Sequence, residues 1–200
     1  MLLFLGMKTL RPILLALTAV AALSVAYPAK ANLITNGGFE TGDFTGWTVS
    51  GDLNDVAVIG TNITGIAPHS GSFQGVFGPL NTGFLSQMLA LAVGTTYRVD
   101  FWLANAISPG NNSFAVSLGG VTGFSLTNAG LSGYTEHTFD FTYTGGSTQL
   151  LFTYLNVPGE WLLDDVSVNA VGTVPDGGTT VSLLGCALLG LAGLRRRLGC

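Results

Sequence analysis

Residues 97–104 read Tyr-Arg-Val-Asp-Phe-Trp-Leu-Ala. Tyr97, Val99, Phe101 and Leu103 take every second position and alternate with Arg98, Asp100, Trp102 and Ala104, the period that sends successive side chains to opposite faces of a strand. The period recurs where Phe139, Phe141 and Tyr143 alternate with Thr138, Asp140 and Thr142. Shorter strand-like runs fall at 47–49, 55–59, 72–77, 84–91, 113–118, 149–155 and 161–168. Turn formers separate them: Pro109-Gly110-Asn111-Asn112, Gly119-Gly120, Gly145-Gly146 and Pro158-Gly159, where glycine permits positive φ and proline fixes it. Many short strands with no helical period between them predict two antiparallel sheets packed face to face, an all-β sandwich.

Outward from this region the composition changes. Of the 200 residues 48% are hydrophobic and 9% charged, against about 25% charged in an ordinary soluble domain. Lys8 and Arg11 precede an apolar run from Pro12 to Ala26, and Ala29-Lys30-Ala31 follows with the small residues that a signal peptidase accepts. Residues 1–31 therefore read as a secretory signal peptide, with cleavage expected after Ala31. At the other end Val174-Pro175-Asp176-Gly177-Gly178 leads into an apolar run from Thr179 to Leu194 and then Arg195, Arg196 and Arg197. As a helix that run would span about 24 Å, short of a ~30 Å hydrocarbon core but able to insert with local thinning. The arginines hold to the cytoplasmic side, so what precedes them faces outward. Residues 173–200 thus form a C-terminal sorting signal with a transmembrane helix, and residues 32–172 remain as one β-sandwich domain.

That domain carries ten acidic residues against Arg98 alone. Nucleic acid and anionic lipid are excluded as expected partners, because phosphate recognition needs clustered Lys and Arg. Cys186 lies in the apolar tail and Cys200 ends the chain, so the domain has neither a disulfide nor a thiol. Its histidines are His69 and His137, and no G-x-S-x-G or H-E-x-x-H run occurs, so nucleophile–base and zinc-hydrolase constellations lack their parts. The domain reads as non-catalytic. A small glycosidase or lyase would need two carboxylates facing each other roughly 5–10 Å apart.

The tail resembles the PEP-CTERM class of sorting signals, and more closely its VPDSG-CTERM variant, with Gly177 where the motif has serine. The resemblance implies processing by a membrane-embedded exosortase and a place at the cell surface or in an extracellular biofilm matrix. A second resemblance lies inside the domain. Asn32-Leu33-Ile34-Thr35-Asn36-Gly37-Gly38-Phe39-Glu40-Thr41-Gly42 with Phe44-Thr45-Gly46-Trp47, then Pro68-His69-Ser70-Gly71-Ser72-Phe73, residues 97–103 and Trp161-Leu162-Leu163-Asp164-Asp165-Val166-Ser167-Val168 are similar to galactose-binding-like jelly-roll carbohydrate-binding modules. It implies a jelly roll, a carbohydrate ligand, and a structural calcium between the N-terminal Glu and the final strand.

Candidate residues follow. Calcium takes oxygen ligands from carboxylates and backbone carbonyls; by the resemblance Glu40 and Asp165 are its carboxylates, with Asp164 in reserve. The bland alternative is that Asp164 and Asp165 hydrogen-bond loop backbone. Adjacent strand residues face opposite sides, so only one of these acids can serve a given site, and if Val166 and Val168 face the core then Asp164 shares that face and needs a cation or several N–H donors. For a sugar, Trp102 supplies a flat ring beside Arg98 and Asp100, against the alternative that it packs under a loop with an ordinary Arg98–Asp100 pair nearby. Trp47 and Trp161 read as core. The functional expectation is an exported, carbohydrate-binding surface protein whose ligand is exopolysaccharide; the alternative is a structural or adhesive surface protein with a protein ligand.

Overall fold

The computed structural model describes residues 32–107 and 110–171. The expected signal peptide, the sorting motif, the apolar tail expected to form a transmembrane helix, Cys186 and Arg195–Arg197 lie outside the described residues.

Ten strands form: β1 (Thr48–Gly51), β2 (Val56–Ile59), β3 (Gln74–Phe77), β4 (Gly83–Met88), β5 (Thr96–Asn105), β6 (Asn111–Leu118), β7 (Val121–Thr127), β8 (Ser132–Thr142), β9 (Gln149–Val157) and β10 (Trp161–Ala170). They make two five-stranded antiparallel sheets, β1-β4-β9-β6-β7 and β2-β3-β10-β5-β8. The predicted sandwich is the observed fold. The run at 97–104 became β5, at the heart of the second sheet, with Tyr97, Val99, Phe101 and Leu103 buried.

β7 and the first half of β8 were not expected. Gly119 and Gly120, at φ 63° and 82°, turn the chain from β6 straight into β7, as a two-residue hairpin loop with both φ positive does. Gly123 interrupts the apolar pattern of β7, and a side chain there would run into the ring of Phe139 on β8.

The core lies between the sheets and is largely aromatic: Phe39, Phe77, Phe101, Phe114, Phe152, Tyr154 and Trp161 are wholly or almost wholly buried, with Trp47 beside them. The expectation for Trp47 and Trp161 holds. Each indole N–H finds a carbonyl, from Trp47 to Asn36 (3.0 Å) and from Trp161 to Leu155 (2.9 Å) and Ser113 (3.1 Å), so neither ring strands a polar group inside.

The N-terminal segment clamps onto β10. Leu33 N–H donates to Val168 O (2.9 Å), and Asn32 Oδ1 accepts from Ile34 and Val168 N–H. At the other end Val171 N–H donates to Thr96 O (2.7 Å). Both ends of the described chain therefore leave the sandwich at the pole where β5 begins and β10 ends. A second, smaller apolar cluster forms on the outer side of the second sheet, where Ile59, Ile63 and Ile66 cover Val76, Ala104 and Leu162.

Candidate functional site

The acids of β10 depart from strand parity. Opposite β5 the register jumps between Asp164 and Ser167, a bulge in which Asp165 takes φ 49°. A bulge adds one residue to a strand and turns it locally. Leu163 and Val166 consequently both face the core, while Asp164 is wholly buried on the opposite, outer side of the sheet. The expectation that Asp164 would share the face of Val166 and Val168 is corrected by this extra residue, as is the rule that only one acid could serve one place.

Glu40, Asp164 and Asp165 converge around Gly38. A side chain at Gly38 would stand 3.5 Å from an Asp165 oxygen, 3.7 Å from one of Asp164 and 3.7 Å from Glu40 Cγ. The segment 68–73 straps across them. Asp164 Oδ2 accepts from His69 N–H (2.9 Å) and Ser70 N–H (3.2 Å), and Oδ1 from Asp165 N–H (2.8 Å). Asp165 accepts from Ser70 Oγ–H (2.6 Å) and faces His69 Nδ1 (2.6 Å). Glu40 accepts from Ser72 and Phe73 N–H at 2.9 to 3.0 Å. Burial nonetheless outweighs these donors at Asp164 and pushes its carboxyl up to about 6.

This donor set is hard oxygen, with no Lys or Arg bonded to it, which suits calcium. Among the described residues, however, no three His, Cys, Asp or Glu side chains are grouped as metal ligands. Each carboxylate oxygen of Glu40, Asp164 and Asp165 already has a hydrogen-bond partner in the segment 68–73 or at Asp165 N–H, the arrangement of the alternative in which Asp164 and Asp165 bond loop backbone.

Trp102, Arg98 and Asp100 share the outer face of β5 as expected, but each has found another partner. His69 stacks on Trp102 with ring centroids 3.7 Å apart and planes at 16°, and Tyr134 meets His69 edge-on at 5.5 Å. The Tyr134 hydroxyl donates to Gln74 Oε1 (2.7 Å), and burial with the nearby charges of Asp164 and Asp165 pushes that phenol far up. Arg98 pairs with Asp140 through two bonds of 2.8 and 3.0 Å rather than with Asp100, raising its own pKa and lowering that of Asp140. Asp100 accepts from Ser167 Oγ–H (3.4 Å). One face of the indole is thus covered by the strap.

The other sheet presents a surface that the sequence reading missed. None of β1, β4, β9, β6 and β7 contains an Asp, Glu, Lys, Arg or His. Alternation sends Leu85, Phe114, Val116, Phe152 and Tyr154 into the core, which leaves their neighbours outside. The register lines these up in rows across the sheet, Ser50–Phe84–Thr153–Ala115–Ser125 and Thr48–Ser86–Leu151–Ser117–Thr122. Apart from Ser86, which is buried, the face is hydroxyl and hydrocarbon at least partly open to solvent and without charge, whereas β5, β8 and β10 of the second sheet hold Arg98, Asp100, Glu136, Asp140, Asp164 and Asp165. A signal was present: residues 56–97, 101–135 and 141–159 contain no Asp, Glu, Lys or Arg.

Known proteins resemble this chain in two places. Residues 173–198 match the VPDSG-CTERM motif. The sandwich is similar to the family 61 carbohydrate-binding module TmCBM61, solved in complex with beta-1,4-galactotriose, at 28% identity and a TM-score of 0.57 over 70% of this chain and 99% of that one. The chain carries a VPDSG-CTERM motif behind a jelly roll similar to those of carbohydrate-binding modules. Further similarity reaches a family 16 carbohydrate-binding module (19% identity, TM-score 0.51, 68% of this chain and 99% of that one) and the CBM22-1 xylan-binding domain of Paenibacillus barcinonensis Xyn10C (17%, 0.52, 74% and 100%); these two speak to the fold. No curated protein matches the chain.

Proposed function

We propose that the protein is a non-catalytic, exported surface protein that binds neutral polysaccharide on the charge-free outer face of its first sheet. The observation that carries this is a five-stranded sheet without one charged side chain in a domain that is otherwise acidic. Hydroxyls from Ser and Thr exchange donors and acceptors with sugar hydroxyls, while Leu151, Leu155 and Phe84 offer hydrocarbon to ring C–H faces. A charged ligand would gain nothing there. The likeness to TmCBM61 supports a galactan-like or similarly neutral glycan, and the sorting motif supports delivery to the cell surface with exosortase processing on the way.

Size argues against a protein partner on this face. Five strands at ~4.8 Å spacing span about 19 Å, and six residues along a strand about 20 Å, so the face offers about 400 Å², half of the ~800 Å² per partner in a stable protein interface. The exposed edge of Trp102, with Arg98 and Asp100, is a second contact in this proposal. Calcium held by Glu40 and Asp165 is a third element: it would offset the mutual repulsion of the three carboxylates and fix the strap.

Affinity electrophoresis through gels of galactan, xylan and β-glucan tests the reading. Retardation by at least one gel, lost in Thr153→Asp, is expected. Mobility unchanged in every gel would end the proposal.

A further inference from the structure

A cleft of about 300 Å³ opens on the second sheet where β5 ends, between the segment at Thr64–Ile66 and the start of β8. We propose that it is a binding site for one neutral sugar residue, separate from the first sheet's face. The inference rests on the carbohydrate reading above and names a second site for it.

The lining has no charge and no aromatic ring, so it selects against ions and against flat aromatic ligands. Its volume lies at the small end of ligand pockets, suited to a single ring. Asn105 forms the floor and is locked: its side-chain N–H groups donate to Ala129 O (3.0 Å) and Gly130 O (3.1 Å), and its Oδ1 accepts from Asn156 (2.9 Å). Two hydroxyls stand beside it with opposite capacities. Thr64 spends its proton on Ala106 O (3.0 Å) and keeps lone pairs free, whereas Ser132 Oγ accepts from Asn105 N–H (3.3 Å) and keeps its proton. One acceptor and one donor on a rigid floor match a hydroxyl that both donates and accepts.

Hydrocarbon completes the site. Ile66 and Ala106 form walls, and Leu131, 65% exposed, stands at the rim with no apolar cover of its own. Thr64 and Gly65, at φ 47° and 94°, form the tight turn that joins Ile63 to Ile66 through two backbone hydrogen bonds (3.0 and 2.8 Å), which fixes this wall of the cleft. Position matters as well. β5 runs from Thr96, where the chain ends leave, to Asn105, about 30 Å away. A sugar in the cleft therefore lies at the pole opposite the two ends of the described chain.

The test uses isotope-labelled full-length chain in detergent, titrated with galactose, glucose and xylose one at a time. Saturable amide shifts at Thr64, Ala106, Ser132 and Gly133 are expected with at least one sugar, with Kd on the order of 1–10 mM for so small a ligand. Gly133 has no atom within 4 Å of where a Cβ would stand, so Gly133→Phe can fill the cleft without a clash and should abolish the shifts. Ser132→Ala, which removes only the donor, should weaken binding about fivefold. Thr153→Asp should leave the titration unchanged. No saturable shift with any of the three sugars, or shifts that persist in Gly133→Phe and in Ser132→Ala at full strength, would overturn the cleft. Gel retardation that survives in Gly133→Phe while the cleft titration fails would refute this site and leave the first-sheet reading standing.

Discussion

Replacing Asp164 by Asn should flatten the dependence of stability on pH between about pH 4 and 7. Asp164 is wholly buried and its carboxyl is raised from 3.8 to about 6, first by desolvation, against three N–H donors that pull it down. In that interval the folded chain binds a proton at Asp164 that the unfolded chain does not. Stability from this group is therefore complete below about pH 3.8 and declines as pH rises through about 6. The difference between the two values corresponds to at most about 3 kcal/mol at neutral pH. Urea unfolding curves of wild type and Asp164→Asn at pH 4, 5, 6 and 7, followed by tryptophan fluorescence, measure it. The wild type should lose about 2 kcal/mol more than the variant on going from pH 4 to 7, because at pH 4 the unfolded carboxyl is already mostly ionised. Parallel curves for the two proteins would show that the strap's N–H groups offset the burial of the charge, and the account of this bulge would be wrong.

Other expectations are simpler to state. EDTA should lower the melting temperature of the wild type and leave that of Glu40→Gln unchanged, because a cation bound only by the folded state stabilises it; equal melts with and without EDTA would remove the cation. Phe152→Ala, at the centre of a cluster with Trp47, Phe101 and Phe114, should cost about 3–5 kcal/mol in the same urea assay. Burial lowers the pKa of His137, packed against Phe101 and Phe124, so it contributes stability above about pH 6.5 that is lost as pH falls. His137→Phe should remove that loss, seen as a smaller drop in melting temperature on acidification. Trp102→Ala should reduce gel retardation only in part, since His69 already covers one face of the ring.

Much of the fold was legible because burial on one face writes a period of two into a strand. Residues 97–104 and 139–143 carry that period without interruption, and both became strands at the expected places. β7 escaped because Gly123, which makes way for Phe139, breaks the apolar alternation, and its partner across the hairpin is what stabilises it. The candidate site was legible in its residue types but not in its pairings. The pairing of Glu40 with Asp165 came from a family likeness; in the structure both border Gly38, but the Glu40 carboxylate bonds Ser72 and Phe73 N–H while Asp165 bonds Ser70 and His69. Arg98 chose Asp140 over Asp100 because β8 lies beside β5 with those two residues directly in register, a choice that no local pattern encodes. The bulge at Asp165 is likewise a tertiary decision, in which strand parity yields to placing Val166 in the core. The uncharged sheet face lay open to view in the charge-free runs, yet an absence of charge draws less notice than a tryptophan.

The measurement closest to the central claim is amide shift mapping with neutral oligosaccharides of the glycan that retards the protein most. Perturbations should centre on Phe84, Ala115, Leu151 and Thr153, the middle of the first sheet. Shifts confined to β8 and β10, with those four amides silent at saturation, would contradict it.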